Sequence, residues 1–164
     1  MEDKTHQEKV EKLRELIKEI DFAMLTTVDA SGNLRSRPMS TQQAEFDGDV
    51  WFITSNDTTM AGEIRRDNRV NVSYAQPDKQ RYISISGTAE LVYDRARIDE
   101  FWSPIYKAYF PDGKDDPNLR LVKIKVDKAE YWDSKGLIPT VIAFAQALAG
   151  KESELSENEK IELS

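Results

Sequence analysis

Between Phe22 and Asp133 the chain is a run of short β-rich segments, each cut off from the next by a tight-turn signal, and few folds accept such punctuation. Phe22-Ala-Met-Leu-Thr-Thr-Val28 has strand composition and ends at Asp29-Ala-Ser-Gly-Asn33, where Gly32 and Asn33 tolerate positive φ. The stretch from Leu34 to about Ala44 then returns antiparallel as a hairpin. Asp47-Gly48 marks the next turn, and Val50-Trp-Phe-Ile-Thr54 is a third strand. From Arg69 to Ala75, Val70, Val72 and Tyr74 alternate with Asn71 and Ser73. Gln76-Pro-Asp-Lys79 turns the chain into a long strand, Arg81 to Tyr93, with Ile83 and Ile85 on one face and Ser84 and Ser86 on the other. Gly87 interrupts it as a bulge or a close backbone approach. Leu119 to Val126 and Ala129 to Asp133 complete the set, and Ser134-Lys-Gly136 turns. Strands joined by short turns pair with their neighbours. Six or seven of them therefore form an antiparallel sheet that curls into a small barrel, in preference to a parallel α/β sheet.

Helices lie at the margins of this mainly β (α+β) pattern. Residues 5–21 carry Val10, Leu13, Leu16, Ile17 and Ile20 at spacings of three and four. Thr58 or Thr59 caps a short helix that runs through Arg66. Asp94 caps a helix reaching Ala108, which Pro104 kinks or splits. Thr140 to Ala149 reads as an apolar helix ended by Gly150. Nothing divides the chain, so residues 1–150 form one domain and 151–164 a polar, acidic tail.

Composition narrows the chemistry. The chain has no cysteine and one histidine, His6, in a charged N-terminal stretch. Disulfides, thiolate metal sites, thiol nucleophiles and histidine-built zinc sites are excluded, and a Ser-His-Asp triad is improbable. Any redox chemistry must come from a borrowed cofactor. Thirty acidic against 23 basic residues give a net charge of -7, which argues against a nucleic-acid partner. No stretch approaches the ~20 apolar residues of a membrane span, and the N-terminal stretch lacks a signal peptide's apolar core. These features predict a cytoplasmic protein with no membrane partner.

Two stretches suit an anion. Arg35 and Arg37, two apart in Leu34-Arg-Ser-Arg-Pro-Met39, project to one strand face and suit a phosphate, although taken alone a solvated strand with ordinary surface charges is the better reading. Thr54-Ser-Asn-Asp-Thr-Thr59 brings hydroxyls and free N–H groups to a helix start, although plain capping uses the same residue types. Together they could converge on one phosphate. Trp51, Trp102, Tyr106, Tyr109, Phe110, Tyr131 and Trp132 offer flat walls for a planar ring, or simply pack. Asp112, Asp115 and Asp116 lack the spacing of a calcium loop.

The order of these pieces resembles a known family. Phe22-Ala-Met-Leu-Thr-Thr-Val, Arg-Ser-Arg-Pro-Met, Trp-Phe-Ile-Thr, Arg69-Val-Asn-Val-Ser-Tyr and Ser-Ile-Ser-Gly-Thr-Ala-Glu90 follow one another as in the general stress protein branch of the pyridoxamine 5′-phosphate oxidase-like flavoproteins. Trp102, Tyr109-Phe-Pro-Asp-Gly113, Glu130-Tyr-Trp-Asp133 and the tail from Val141 to Leu163 are similar to that branch too. The resemblance implies an FMN-binding split β-barrel, a homodimer with flavin at the subunit interface, and a small-molecule electron donor or acceptor. It places Arg37 on the cofactor phosphate, Ser36, Pro38 and Met39 along the flavin, Ile53 and Thr54 against ring and phosphate, and Ser55, Thr58 and Thr59 in the phosphate loop. Trp132 matches a contact from the partner subunit. Met60 stands at the position where the family usually has a phosphate-binding lysine, and Gln42 where the oxidases carry a second lysine near the ring. Losing one cation beside a phosphate dianion weakens binding by about 1–3 kcal/mol, which leaves FAD and riboflavin open as alternatives. The substrate-binding C-terminal segment of the true oxidases has no counterpart. The implied function is a flavin-dependent oxidoreductase or reductase in a stress response, the alternative being a flavin carrier, sensor or interaction module without turnover.

Overall fold

The computed structural model describes residues 2–42, 46–133 and 140–143. Three helices, α1 (Glu2–Ile17), α2 (Thr59–Arg66) and α3 (Arg95–Phe101), accompany seven strands: β1 (Phe22–Val28), β2 (Leu34–Ser40), β3 (Asp49–Ser55), β4 (Arg69–Gln76), β5 (Arg81–Val92), β6 (Leu119–Trp132) and β7 (Thr140–Ala143). The strands make one antiparallel sheet in the order β2-β1-β4-β5-β6-β3, with β7 added on β6. The two ends of this order, β2 and β3, approach each other, so the sheet curls into a split barrel as expected. Gly32 and Gly48 sit in the two predicted turns at φ 83 and 116, backbone that glycine adopts at little cost.

The alternation places the core. Ala23, Leu25, Val72, Ile83 and Ile85 point inward with Phe52, and α1 seals the barrel with Val10, Leu13 and Leu16, joined by Ile20 from the turn that follows it. Each fully buried side chain of this size contributes about 1.5–3 kcal/mol. A second, smaller cluster joins Ile53, Leu119 and Leu121 to Ile98, Phe101 and Phe110 on α3 and the loop beyond it.

Four expectations are corrected. The segments Leu119–Val126 and Ala129–Asp133 are one strand, β6. The break in alternation between them is a bulge: Gly87 pairs with Val126 and Ser86 with Lys128, leaving Asp127 unmatched. Gly87 is required there, because a Cβ would lie 2.1 Å from the Lys125 carbonyl oxygen. Thr140–Ala143, expected as the start of a helix, is the strand β7. A short apolar run has no periodicity to separate the two states, and β6 offers it a free edge beyond its last pair with β3. Residues 144–149 and the acidic tail lie outside the described residues. The helix expected from Asp94 to Ala108 stops at Phe101, and a separate 3₁₀ turn, Pro104–Ala108, follows, because proline can start but not continue a helix. β2 ends at Ser40 rather than near Ala44, and Thr41 leaves the strand to donate its hydroxyl to the Ile20 carbonyl at 2.6 Å. Among the described residues no helix is long and apolar enough to cross a membrane.

Candidate functional site

The period of two along β2 sorts its side chains. Arg35 and Arg37 lie opposite Thr27 and Leu25 of β1 and share their inward face, with Met39 beside them packed against the core. Ser36 and Pro38 lie opposite Thr26 and Met24 and face outward. Pro38 lacks a ladder donor, and β2 is a terminal strand where one free edge needs none.

Both arginines end on a carboxylate supplied by another element. Glu63 of α2 has a side chain only 3% exposed. Arg35 donates from Nη1 to its Oε1 at 3.0 Å, and Arg37 donates from Nη2 to its Oε2 at 3.1 Å. Thr27, fully buried, donates its hydroxyl to the same Oε2 at 2.5 Å and accepts from Arg37 Nη1 at 2.8 Å. A buried carboxylate is tolerated only when paired and hydrogen-bonded, and here three donors do that. The Arg37 side chain is 20% exposed and that of Arg35 53%, so the cluster opens to solvent on the Arg35 side. Thr59 stands one turn before Glu63 on the same helix face.

The start of α2 is a capping structure. Thr58 is the N-cap: its hydroxyl accepts from the Ala61 amide at 3.1 Å and donates to the Ser55 carbonyl at 3.0 Å. Ser55 donates its hydroxyl to Asp57 at 2.5 Å. Arg65 reaches back to the side chain and carbonyl of Asn56.

The remaining sequence-derived positions separate. Met60 is buried in the main core, one turn before Glu63 on α2. Ile53 packs into the smaller cluster, and Thr54, nearly buried, points to the other side of β3. Gln42 donates to the Tyr106 hydroxyl at 3.2 Å. Trp132 lies at the end of β6 and lines the outward groove with Met24, whereas Arg37 is on the inward face of β2. Trp51, Trp102, Tyr106 and Phe110 take the packing role: Trp51 lies 5.8 Å from Phe101, with Arg97 and Lys123 over its ring. The residue that sequence reasoning missed is Glu63. The available signal was a carboxylate one turn after Thr59, set among the apolar Met60, Ala61 and Ile64 that a short helix of this kind buries.

The outward face of the sheet carries a second feature. Phe22, Tyr82 and Trp132 line a groove of about 320 Å³ with Met24, Ser73 and Ser84. Phe22 is 64% exposed, Tyr82 44% and Met24 40%. Beside this apolar row runs a polar belt, in which the Thr26 and Ser36 hydroxyls meet at 2.6 Å and Asn71 donates to Ser84 at 2.9 Å. Tyr74, on the barrel side of the groove, is buried, and burial pushes its hydroxyl well above the usual tyrosine range.

Comparison with known proteins gives these features a frame. A family model described as "Pyridoxamine 5′-phosphate oxidase like" matches residues 8–154. A protein of Neurospora crassa named Protein bli-3 is 29% identical over 170 residues, covering 93% of this chain and 81% of its own length. A structure described as the general stress FMN/FAD binding protein of Xanthomonas citri is 28% identical, with a TM-score of 0.66, covering 80% of this chain and 93% of that one. General Stress Protein 26 of Bacillus anthracis has the same fold at a TM-score of 0.71 and 23% identity, covering 82% of this chain and 97% of its own.

Proposed function

Because the chain belongs to the pyridoxamine 5′-phosphate oxidase-like family, we propose that it binds a flavin and works with it as an oxidoreductase. The observation that carries this reading is the gathering of Arg35 and Arg37 on one face beside Thr59. That donor set fits the phosphate end of a flavin nucleotide: two guanidinium groups with N–H donors to spare, one of them half exposed. The description of the Xanthomonas citri relative as FMN/FAD binding supports the same ligand class. In this reading Arg37 and Arg35 face the phosphate, Thr59 adds its hydroxyl, Thr58 keeps the helix start in place as its cap, and Ser36 and Pro38 flank the ring. Met60 and Ile53 contribute packing instead, since their side chains are taken up by the core and its satellite. When bound, the flavin supplies the electron transfer, to or from a small molecule. The protein supplies phosphate binding, ring orientation and exclusion of water. The names of the relatives support a role in a stress response.

The same reading includes a homodimer. An exposed apolar row beside a polar belt, on a sheet face left uncovered among the described residues, suits a second copy of this chain. It would let the partner's Trp132 reach the flavin. Met24→Glu puts a charge into this face and is expected to halve the mass measured by light scattering; an unchanged mass would move the interface elsewhere.

Titration with FMN, followed by flavin fluorescence, tests the binding. Unchanged fluorescence at high micromolar protein removes the flavin reading. Stopped-flow mixing of the loaded protein with NADH or NADPH then separates the two functional classes. Flavin reduction at useful rates supports an oxidoreductase, and binding without reduction supports a carrier or sensor.

A further inference from the structure

The arginines offered to a phosphate are already engaged by an anion of the protein itself. Glu63 is inaccessible, lies on a helix, and is held by three donors from two strands. Arg37 spends one Nη on Glu63 and the other on Thr27. Two guanidinium groups against one carboxylate leave a single net positive charge, and Met60 on the same helix adds none. A terminal phosphate monoester carries about −1.5 to −2 at pH 7 and would leave the place net negative; a phosphodiester carries about −1 and would balance it. Neutral ligands are indifferent to it.

We propose that Glu63 is a specificity residue: a built-in carboxylate that discounts the arginine pair and sets the site against a phosphate dianion, so that flavins are held mainly by the ring. This rests on the flavin reading for its ligand, but the discount itself is a property of the arginines and applies to any phosphate. Glu63→Gln keeps the shape and an acceptor oxygen while freeing one unit of positive charge.

The test compares FMN with riboflavin, which differ only in the phosphate. In the unaltered protein the two affinities should lie within about tenfold of each other. In Glu63→Gln the preference for FMN should widen by at least about tenfold, with riboflavin binding unmoved. A preference for FMN above about a hundredfold in the unaltered protein overturns the proposal even if the variant fails to fold. An unmoved preference in a folded variant overturns it too, and leaves flavin binding standing. Thermal melts in inorganic phosphate against chloride at equal ionic strength need no flavin: phosphate should raise the melting temperature of Glu63→Gln more than that of the unaltered protein. If neither protein binds flavin but phosphate singles out the variant, the flavin reading falls and the role of Glu63 stands. If phosphate treats the two alike and no flavin binds, both fall.

Discussion

Truncating Arg37 should injure the fold before it injures any ligand site, and the size of the injury follows from Glu63. Arg37→Ala removes the 3.1 Å bond to the carboxylate and the 2.8 Å bond to Thr27. Two unit charges about 3 Å apart attract by roughly 5 kcal/mol at an effective dielectric constant of 20, and recovered hydration of Arg37 offsets part of that. Breaking a buried pair by deleting one partner typically costs about 3–5 kcal/mol, because the other charge is left uncompensated. Arg35 remains on Glu63, but its side chain is 53% exposed and pairs across water-like surroundings. The expected loss is therefore about 2–4 kcal/mol. Neutralising the carboxylate as well should return part of it, so Arg37→Ala with Glu63→Gln should lose at least about 1 kcal/mol less than Arg37→Ala alone. Urea unfolding of the four proteins in this cycle at neutral pH, with equal m-values, gives the coupling directly. If the double variant is as unstable as the single one, Arg37 does not hold the buried charge, and the electrostatic account of the cluster is wrong.

Three further outcomes rest on separate parts of the molecule. Gly87→Ala should cost about 2–4 kcal/mol in urea unfolding, because the new methyl meets the Lys125 carbonyl, backbone that can move only by disturbing the β5–β6 ladder; a loss under about 0.5 kcal/mol would mean that the bulge slides freely. Thr58→Ala removes the cap of α2 and should cost about 1 kcal/mol, with Thr58→Ser restoring most of it. Arg69, through its side chain and then its amide, holds the Asp67 carboxyl down at about 2, below its unfolded range. The bond therefore contributes above about pH 4 and is lost as pH falls towards 2, so the melting temperatures of the protein and of Asp67→Asn should differ at neutral pH and converge in acid.

The sequence carried the local half of the fold. Alternation at Val70, Val72 and Tyr74 and the turns at Gly32 and Gly48 need only neighbours in the chain, and these strands and hairpins stand where the pattern put them. Features set by distant partners were not legible. Asp127 ends an alternation, yet the strand runs on because Gly87 of β5 absorbs the extra residue. Thr140–Ala143 pairs with an edge of β6 that nothing in its own composition reveals. The site divides the same way. That Arg35 and Arg37 share a face follows from the period of a strand. That the face meets Glu63 follows from how α2 packs across the sheet, which no local pattern encodes. The threonine-rich segment has the same residue types for capping and for anion binding, and in the fold Thr58 is a cap.

One edge of β6 has to serve two strands in turn: β3 along Leu119–Lys125 and β7 along Lys128–Tyr131. The order of synthesis makes this a problem of timing. β3 leaves the ribosome with Val50, Phe52 and Ile53 exposed, and β6, its only ladder partner among the described residues, follows about sixty residues later. At about 5–20 residues per second the strand waits for several seconds with apolar side chains and both edges unpaired. Such a strand invites pairing with other nascent chains. Closing it onto β6 is also among the longest-range steps in folding, where loop entropy is lost before contacts repay it. A truncated chain that stops before Leu119 should therefore go into aggregates, while the full chain escapes them by completing one strand.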